Sequence, residues 1–134
     1  MFIKEVKLRV RYAETDRMGY AYYGNYATYF EVARVEAMRA LGISYRKLED
    51  DGVLLPVSEF NVKYKKPAYY DDEITIKVTI KVLPHIRFQF HYETFNDQGE
   101  ILNSAFTELV FVNKETGRPM AIPENIKALM IPHF

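Results

Sequence analysis

The sequence predicts an α+β fold in which about five mostly antiparallel strands form a sheet around one long helix. Apolar residues recur at helical spacing between Tyr26 and Leu41, and segments on both sides of this helix alternate apolar and polar residues as strands do. The links between the later strands are too short for parallel β-α-β units. The 134 residues suffice for about one domain with a hydrophobic core, and we expect a single domain over residues 1–134.

The first half of the chain predicts a strand, a loop, the long helix and a short connection. Between Phe2 and Tyr12, apolar residues alternate with lysines and arginines, which is the period of a half-buried strand. A loop of turn-forming residues leads to the helix, whose apolar positions are Tyr26, Tyr29, Phe30, Ala33, Ala37 and Leu41, widened by Val32, Val35 and Met38. We therefore expect protein to surround this helix over much of its circumference and Gly42 to end it. The segment SYRKLEDDG then predicts a helical or turn connection.

The second half predicts four more strands and a closing helix. The extended segment VLLPVSEFNVKYKKP contains prolines, which favour a sheet edge or a bulge. Residues 74–82 alternate cleanly, residues 86–92 continue the pattern, and NDQG is a tight turn into a strand over residues 100–113. That strand alternates poorly, as expected for a central strand. KETGRP predicts a turn, and PENIKALM predicts a short helix with Pro123 at its first position.

Composition and charge exclude several classes of function. The 18 basic residues balance the 18 acidic ones, which removes the general electrostatic reason to expect nucleic acid or an anionic membrane as a partner. Without cysteine there is no disulfide, thiolate metal site or cysteine nucleophile. The histidines, His85, His91 and His133, lack the spacing of metal ligands, and no serine lies in a nucleophile elbow. The chain start shows no signal peptide, so we expect a cytoplasmic location.

The loop before the long helix contains the chain's most informative residues. The stretch ETDRMGYAYYGNYATYFEVAR places Asp16 in a loop rich in glycine and tyrosine, shortly before a helix start. Helix starts have backbone N–H groups without partners inside the helix. On spacing alone, Asp16 is either a turn residue whose carboxylate binds local amides or a reactive group.

The same stretch resembles the active-site segment of the hotdog-fold acyl-CoA thioesterases, in particular the 4-hydroxybenzoyl-CoA thioesterase group. The family pattern is roughly aromatic-x-x-x-D-x-x-G-x-x-x-(H or aromatic)-x-N-Y, and it is filled here by Tyr12, Asp16, Gly19, Tyr23, Asn25 and Tyr26. The resemblance implies a hotdog fold, in which a curved antiparallel sheet wraps around the central helix. It also implies hydrolysis of a small-molecule acyl-CoA without metal or cofactor, by a homodimer or homotetramer with active sites at the subunit interface.

The resemblance also implies the roles of individual residues. Asp16 would attack the thioester carbonyl or activate the attacking water. The backbone N–H groups of Tyr23 and Gly24 would stabilise the charge that develops on the carbonyl oxygen, as donors at a helix start can. A small residue at position 24 would let the carbonyl approach closely. The expected substrate-binding residues are Tyr12, Asn25 and Tyr26.

Several alternatives remain open at this stage. Asn25 could be only the N-cap of the helix. Many relatives have histidine where this chain has Tyr23, so a histidine-assisted step is not implied. Glu31 is a second acid nearby, but we expect it to pair with Arg34 or to cap a polar gap. The cations available for coenzyme A phosphates are Lys63, Lys65, Lys66 and Arg87, and none of them is assigned to the site.

Two other functions fit the same residues. The first alternative is an acyl-carrier-protein thioesterase, which performs the same chemistry on a protein-borne thioester. The second is a non-catalytic module that binds an acyl ligand and retains the fold. The tyrosines near the helix start would suit an aromatic or medium-length acyl group, although they could equally be packing residues.

Overall fold

The computed structural model describes all residues from 1 to 134. In chain order its elements are β1 (Phe2–Arg9), α1 (Asn25–Ala40), α2 (Tyr45–Asp50), β2 (Val53–Leu54), β3 (Val57–Tyr64), β4 (Glu73–Ile80), β5 (Arg87–Phe95), β6 (Ile101–Val110), β7 (Val112–Asn113) and α3 (Glu124–Met130). Short 3₁₀ turns lie at Tyr12–Glu14 and Ile131–His133. The sequence predicted Pro123 as the first residue of α3. In the structure it is the N-cap, one position before the helix begins.

Five strands form one antiparallel sheet in the order β1-β4-β5-β6-β3, and β2 pairs with β7 in a small second sheet. This confirms the predicted α+β class with a five-stranded antiparallel sheet and one long helix. The inward face is built by alternation: on β4 the side chains of Ile74, Ile76, Val78 and Ile80 are fully buried, and those between them are not. No helix is both long enough and apolar enough to cross a membrane.

The strand β3 lies at an open edge of the sheet, as its flanking prolines predicted. Its pairing with β6 is interrupted by a register shift between Val57 and Glu59. β3 has no partner strand on its outer side, and its apolar residues Val57 and Phe60 are 48% and 42% exposed. β6, predicted to be central, lies between β5 and β3. The sheet therefore presents one apolar, unpaired edge to its surroundings.

The helix α1 packs on the sheet through its aromatic residues. The ring of Phe30 lies 4.5 Å from that of Tyr92 on β5, and the ring of Tyr26 lies 5.7 Å from that of Tyr64 at the end of β3. Within one chain, however, only one side of α1 is covered, because Val32 on the opposite side is 38% exposed. The helix ends as predicted, with Gly42 in the left-handed region at a φ of 87°.

Candidate active site

Asp16 lies in a loop that is closed by backbone hydrogen bonds. The amide of Asp16 donates to the carbonyl of Tyr20 at 2.9 Å, and the amide of Gly19 donates to the carbonyl of Asp16 at 3.0 Å. Gly19 has a φ of 78°, a conformation that glycine adopts at little cost. The loop is also tied to a neighbouring segment, since the amide of Ala21 donates to the carbonyl of Ala68 at 2.7 Å. These bonds fix the backbone around Asp16.

The two carboxylate oxygens of Asp16 have different surroundings. Oδ1 accepts hydrogen bonds from the amide of Met18 at 2.9 Å and from that of Tyr20 at 3.3 Å, as a turn residue would. Oδ2 accepts no hydrogen bond from the chain. The half-buried side chain therefore holds the turn with one oxygen and leaves the other available, so the turn role does not exclude a chemical role.

The start of α1 offers unpaired backbone donors. The amides of Tyr23 and Gly24 donate to no group of the chain, whereas the next two amides donate to the carbonyls of Tyr22 and Tyr23 at 2.9 Å and 3.2 Å. Gly24 is the N-cap of α1 and has no side chain to satisfy these groups. A Cβ atom at position 24 would lie 2.7 Å from Cε2 of Tyr22. Glycine therefore allows the Tyr22 ring to rest against the backbone here.

A cavity of about 290 Å³ brings part of the predicted site together. Asp16, Tyr23 and Tyr26 line it, and its other walls are Met18, Tyr20, Ala21, Tyr64, Lys65, Lys66 and Pro67. Asp16 and Tyr23, one of the two residues with unpaired amides, thus line one hollow, and four of its ten lining residues are tyrosines. Gly24, the other residue with an unpaired amide, is not among the lining residues. Such a hollow, with a few polar groups, is the usual form of a small-molecule site.

Two of the predicted substrate-binding residues do not line this cavity. Tyr12 is 76% exposed and packs edge-on against Tyr70, with ring centroids 5.6 Å apart. Asn25 is the first residue of α1, and its side-chain Nδ2 donates to the carbonyl of Glu14 at 2.7 Å. The interpretation of Asn25 as the N-cap is wrong, because Gly24 occupies that position. Asn25 instead fastens the loop to the helix.

Glu14 is the residue of this region that the sequence did not single out. Its carbonyl accepts from Asn25 and from the amide of Tyr22 at 2.8 Å, and its carboxylate accepts from the Tyr29 hydroxyl at 2.9 Å. Arg11 donates to the same carboxylate through its backbone N–H at 2.8 Å and its guanidinium at 2.9 Å. The available signal was a glutamate three residues after an arginine, a spacing that lets its carboxylate accept from both the backbone N–H and the guanidinium of Arg11. We call Arg11, Glu14 and Tyr29 the Glu14 cluster.

Tyr26 places a buried hydroxyl beneath the cavity. The residue is 3% exposed, and burial, followed by the nearby Tyr64, raises the pKa of its phenol to about 12. Its hydroxyl has no hydrogen-bond partner within 3.5 Å, and neither do the side-chain amide atoms of the fully buried Asn103. A phenol with this pKa stays neutral near pH 7, so Tyr26 can act only as a hydrogen-bonding group.

Glu31 lies away from this cavity, and the expected ion pair between Glu31 and Arg34 is wrong. No carboxylate lies within 4 Å of Arg34, and the Glu31 side chain is exposed. Arg34 is instead drawn under the helix, where it is 8% exposed. Glu31 lines two other hollows together with Arg34. Among the acids considered, only Asp16 faces the cavity at the helix start.

The chain matches a known protein family. The family model described as the thioesterase-like superfamily matches residues 10–130. YneP of Bacillus subtilis, whose name carries a provisional assignment as an acyl-CoA thioesterase, is 34% identical over 90% of this chain and 87% of its own length. The chloroplastic acyl-acyl carrier protein thioesterase ATL3 of Arabidopsis thaliana is 30% identical over 97% of this chain and 68% of its own length.

A solved structure extends the match to three dimensions. The DHNA-CoA thioesterase from Staphylococcus aureus superposes with a TM-score of 0.94 at 34% identity, covering 99% of this chain and 91% of that one. The aligned part of this chain covers the sheet, the long helix and the loop that carries Asp16. The fold and the family resemblance of the sequence are both confirmed, and the chain belongs to the thioesterase-like superfamily of hotdog-fold thioester hydrolases.

Proposed function

We propose that this protein hydrolyses acyl-CoA thioesters with Asp16 as nucleophile or general base and the amides of Tyr23 and Gly24 as oxyanion hole. The observation that carries the proposal is the cavity at the start of α1, where a carboxylate with a free oxygen faces a residue whose amide is unpaired. Family membership supports thioester hydrolysis, and the name of the Staphylococcus aureus protein supports coenzyme A as the thiol.

The chemistry needs Asp16 and Tyr23 of the cavity wall, the adjacent amide of Gly24 and a water molecule. An oxygen atom, either of Asp16 or of a water that gives its proton to Asp16, forms a bond to the thioester carbon. The carbonyl oxygen becomes negatively charged and accepts hydrogen bonds from the amides of Tyr23 and Gly24. The carbon–sulfur bond then breaks and the thiolate leaves. In the nucleophilic route, water subsequently hydrolyses the anhydride formed with Asp16.

The walls of the cavity favour an aromatic acyl group. Four of the ten lining residues are tyrosines, Tyr20, Tyr23, Tyr26 and Tyr64, and rings of this kind stack well on planar groups. The DHNA-CoA named for the Staphylococcus aureus relative makes DHNA-CoA the first substrate to test. Lys65 lines the same cavity without an ion pair in the chain, whereas Lys66 pairs with Glu100. Lys65 is therefore the better candidate for contact with a coenzyme A phosphate.

The decisive test replaces Asp16 with asparagine, which keeps the volume and the turn hydrogen bonds but removes the charge. We expect single-turnover hydrolysis to fall by about a hundredfold or more, because one positioned base typically contributes that much. Binding of a non-hydrolysable thioether analogue should survive, since the oxyanion donors are backbone groups. Asp97→Asn, in the exposed turn between β5 and β6, is the matched control. Near-normal hydrolysis by a folded Asp16→Asn protein would refute the role of Asp16.

Acyl-carrier protein is the second candidate for the thiol carrier, supported by the similarity to ATL3. A panel of acyl-CoA and acyl-carrier-protein esters with a thiol-detecting dye compares the two carriers directly. Faster release from the protein-borne esters would favour the acyl-carrier-protein thioesterase. Binding of both kinds of ester without any release of thiol would instead indicate the non-catalytic binding module.

The active protein is proposed to be a homodimer or a homotetramer. The unpaired edge strand β3, with its exposed apolar residues Val57 and Phe60, needs a cover, and a second β3 would continue the sheet. The exposed side of α1 around Val32 lies uncovered as well. Light scattering at micromolar concentration tests this assembly, and a stable monomer would contradict it.

A further inference from the structure

The oxyanion donor proposed at Gly24 belongs to the peptide group between Tyr23 and Gly24. The amide of Asn25 donates to the carbonyl of Tyr22 at 2.9 Å, so residues 22–25 form a β-turn with Gly24 in its third position. The φ of −62° and ψ of −23° at Gly24 are close to those of a type I turn. Glycine in this position also permits a type II turn, in which the central peptide is rotated by about 180°. The orientation of the Gly24 N–H is therefore not fixed by the glycine itself.

Rotation of this peptide would destroy the proposed oxyanion hole. The C=O and N–H groups of a trans peptide point in opposite directions, and the chain has no cis peptide bond. A rotated peptide would turn the carbonyl of Tyr23 to the place where the N–H of Gly24 lies, and the partial negative charge of a carbonyl oxygen repels an oxyanion. A group that holds the Tyr23 carbonyl in place therefore keeps the Gly24 N–H available.

Tyr64, the last residue of β3, reaches this carbonyl from the sheet. Its hydroxyl donates to the carbonyl of Tyr23 at 3.4 Å, and the amide of Tyr26 donates to the same oxygen at 3.2 Å. The Tyr64 and Tyr26 rings pack edge-on, with centroids 5.7 Å apart. The two amides that follow Tyr64 both donate to the carbonyl of Leu102, at 2.8 and 3.0 Å, so the backbone that carries the ring is itself fixed. All these contacts lie within one chain, and they form whether or not a second copy covers the edge of β3.

We propose that Tyr64 is a positioning residue for thioester hydrolysis, an inference that rests on the proposed function. Its hydroxyl keeps the peptide between Tyr23 and Gly24 in the orientation that offers the N–H to the oxyanion. Burial, followed by the nearby Tyr23 phenol, raises the pKa of the Tyr64 phenol. The hydroxyl therefore stays protonated near pH 7 and can donate.

The hydrogen bond from Tyr64 should strengthen as the oxyanion forms. Its length of 3.4 Å exceeds the usual O–H···O distance of about 2.7–2.8 Å, so it contributes little before the reaction begins. An oxyanion that accepts from the Gly24 N–H polarises the whole peptide, which makes the Tyr23 carbonyl a better acceptor. Stabilisation that appears only in the transition state accelerates hydrolysis without tightening substrate binding.

The test compares Tyr64→Phe with the wild type on a panel of acyl-CoA esters. The substitution keeps the ring that lines the cavity and removes only the hydroxyl. We expect the single-turnover rate of hydrolysis to fall about three- to tenfold with every ester, which is the usual worth of one neutral hydrogen bond. The affinity for non-hydrolysable thioether analogues should stay nearly constant. Tyr70→Phe, which removes an exposed hydroxyl outside the cavity, is the matched control.

An NMR measurement reports on the peptide itself. In proton–nitrogen correlation spectra, the Gly24 amide signal should shift or broaden in Tyr64→Phe, because the peptide is then freer to rotate. The same signal should be unchanged in Tyr70→Phe. This measurement needs no turnover, so it examines the role of Tyr64 separately from the reaction.

The outcomes separate this inference from the proposed function. An unchanged hydrolysis rate or an unchanged Gly24 signal in Tyr64→Phe would refute the inference, while hydrolysis by the wild type and its loss in Asp16→Asn would still support the proposed function. A loss of analogue affinity, or a rate effect that differs between acyl groups, would mean that the Tyr64 hydroxyl contacts the substrate instead. A wild type that releases no thiol from any ester would refute the proposed function, and with it the catalytic part of the inference.

Discussion

Replacing Tyr29 with phenylalanine removes a single hydroxyl from the Glu14 cluster. That hydroxyl donates to the Glu14 carboxylate at 2.9 Å, Tyr29 is 4% exposed, and the Glu14 side chain is 12% exposed. A hydrogen bond to a charged group contributes about 1.5–3 kcal/mol. At roughly 4 °C per kcal/mol for a chain of this size, we expect the melting temperature to fall by about 6–12 °C.

The stability lost on replacing Tyr29 with phenylalanine should be larger at neutral pH than at acidic pH. Partial burial alone would raise the pKa of Glu14, but hydrogen bonds from Arg11 and Tyr29 outweigh it and lower the pKa below the usual 4.5. A carboxyl whose pKa is lower in the folded state contributes its stability above the unfolded pKa and loses it as the pH falls through the folded pKa. The difference in the free energy of unfolding between wild type and Tyr29→Phe should therefore be full at pH 7 and shrink below pH 4.5.

Urea unfolding of both proteins at pH 7 and at about pH 3.5 measures this difference. Tyr70→Phe is the matched control, because Tyr70 is 55% exposed and its hydroxyl makes no hydrogen bond in the chain. If Tyr29→Phe lowers the free energy of unfolding by less than about 0.5 kcal/mol at pH 7, the effect is no larger than that of an ordinary surface substitution. Such a result, or an equal loss at both pH values, would refute the role given to the cluster.

Three further substitutions test other parts of the structure. Gly24→Ala should displace the exposed Tyr22 ring, because the added Cβ would lie 2.7 Å from it; we expect slower hydrolysis with the melting temperature nearly unchanged. Asn103→Leu removes a fully buried amide that has no hydrogen-bond partner within 3.5 Å, although it lies close enough to the Tyr26 hydroxyl to oppose the rise in the pKa of that phenol. Urea unfolding should show unchanged or higher stability, and a loss above about 2 kcal/mol would mean that the amide bonds Tyr26 in solution. Phe60→Asp introduces a charge at the open edge of β3, so light scattering should show a shift toward the monomer. An unchanged circular dichroism spectrum would show that the fold survives.

The fold could be predicted from the sequence because its strands bury one face. The alternation on β4 follows directly from a period of two, and the prolines around β3 exclude it from the middle of a sheet. The helix was expected to be covered on most sides, but a single chain covers only one. A sequence pattern records which side chains are apolar, without stating whether the same chain or another copy buries them.

The errors at the site arose from contacts between residues distant in sequence. Asn25 has the chemistry of an N-cap, but the folded loop brings the carbonyl of Glu14 to its side chain from eleven residues away. Glu31 and Arg34 have the spacing of a helical ion pair, but the guanidinium turns toward Tyr92 under the helix. Such choices depend on the whole fold. The turn at Asp16 and the helix start after Tyr23 and Gly24 could be predicted, because local turn chemistry determines them. The chemical roles of these residues came from the family resemblance and stay predictions.

The hydrogen bonds around Asp16 have a consequence for how fast a substrate can bind. Loops that order only on binding lose conformational entropy at that moment, and this slows association or weakens it. Here the loop is bonded on one side to Ala68 and on the other to Glu14, and the amide of Tyr70 donates to Gly19 at 3.3 Å. The acid is held in place before any ligand arrives. Encounter should therefore be followed by chemistry without a lag, and the hydrogen-bonded amides of Asp16, Ala21 and Tyr22 should exchange as slowly as those of a strand.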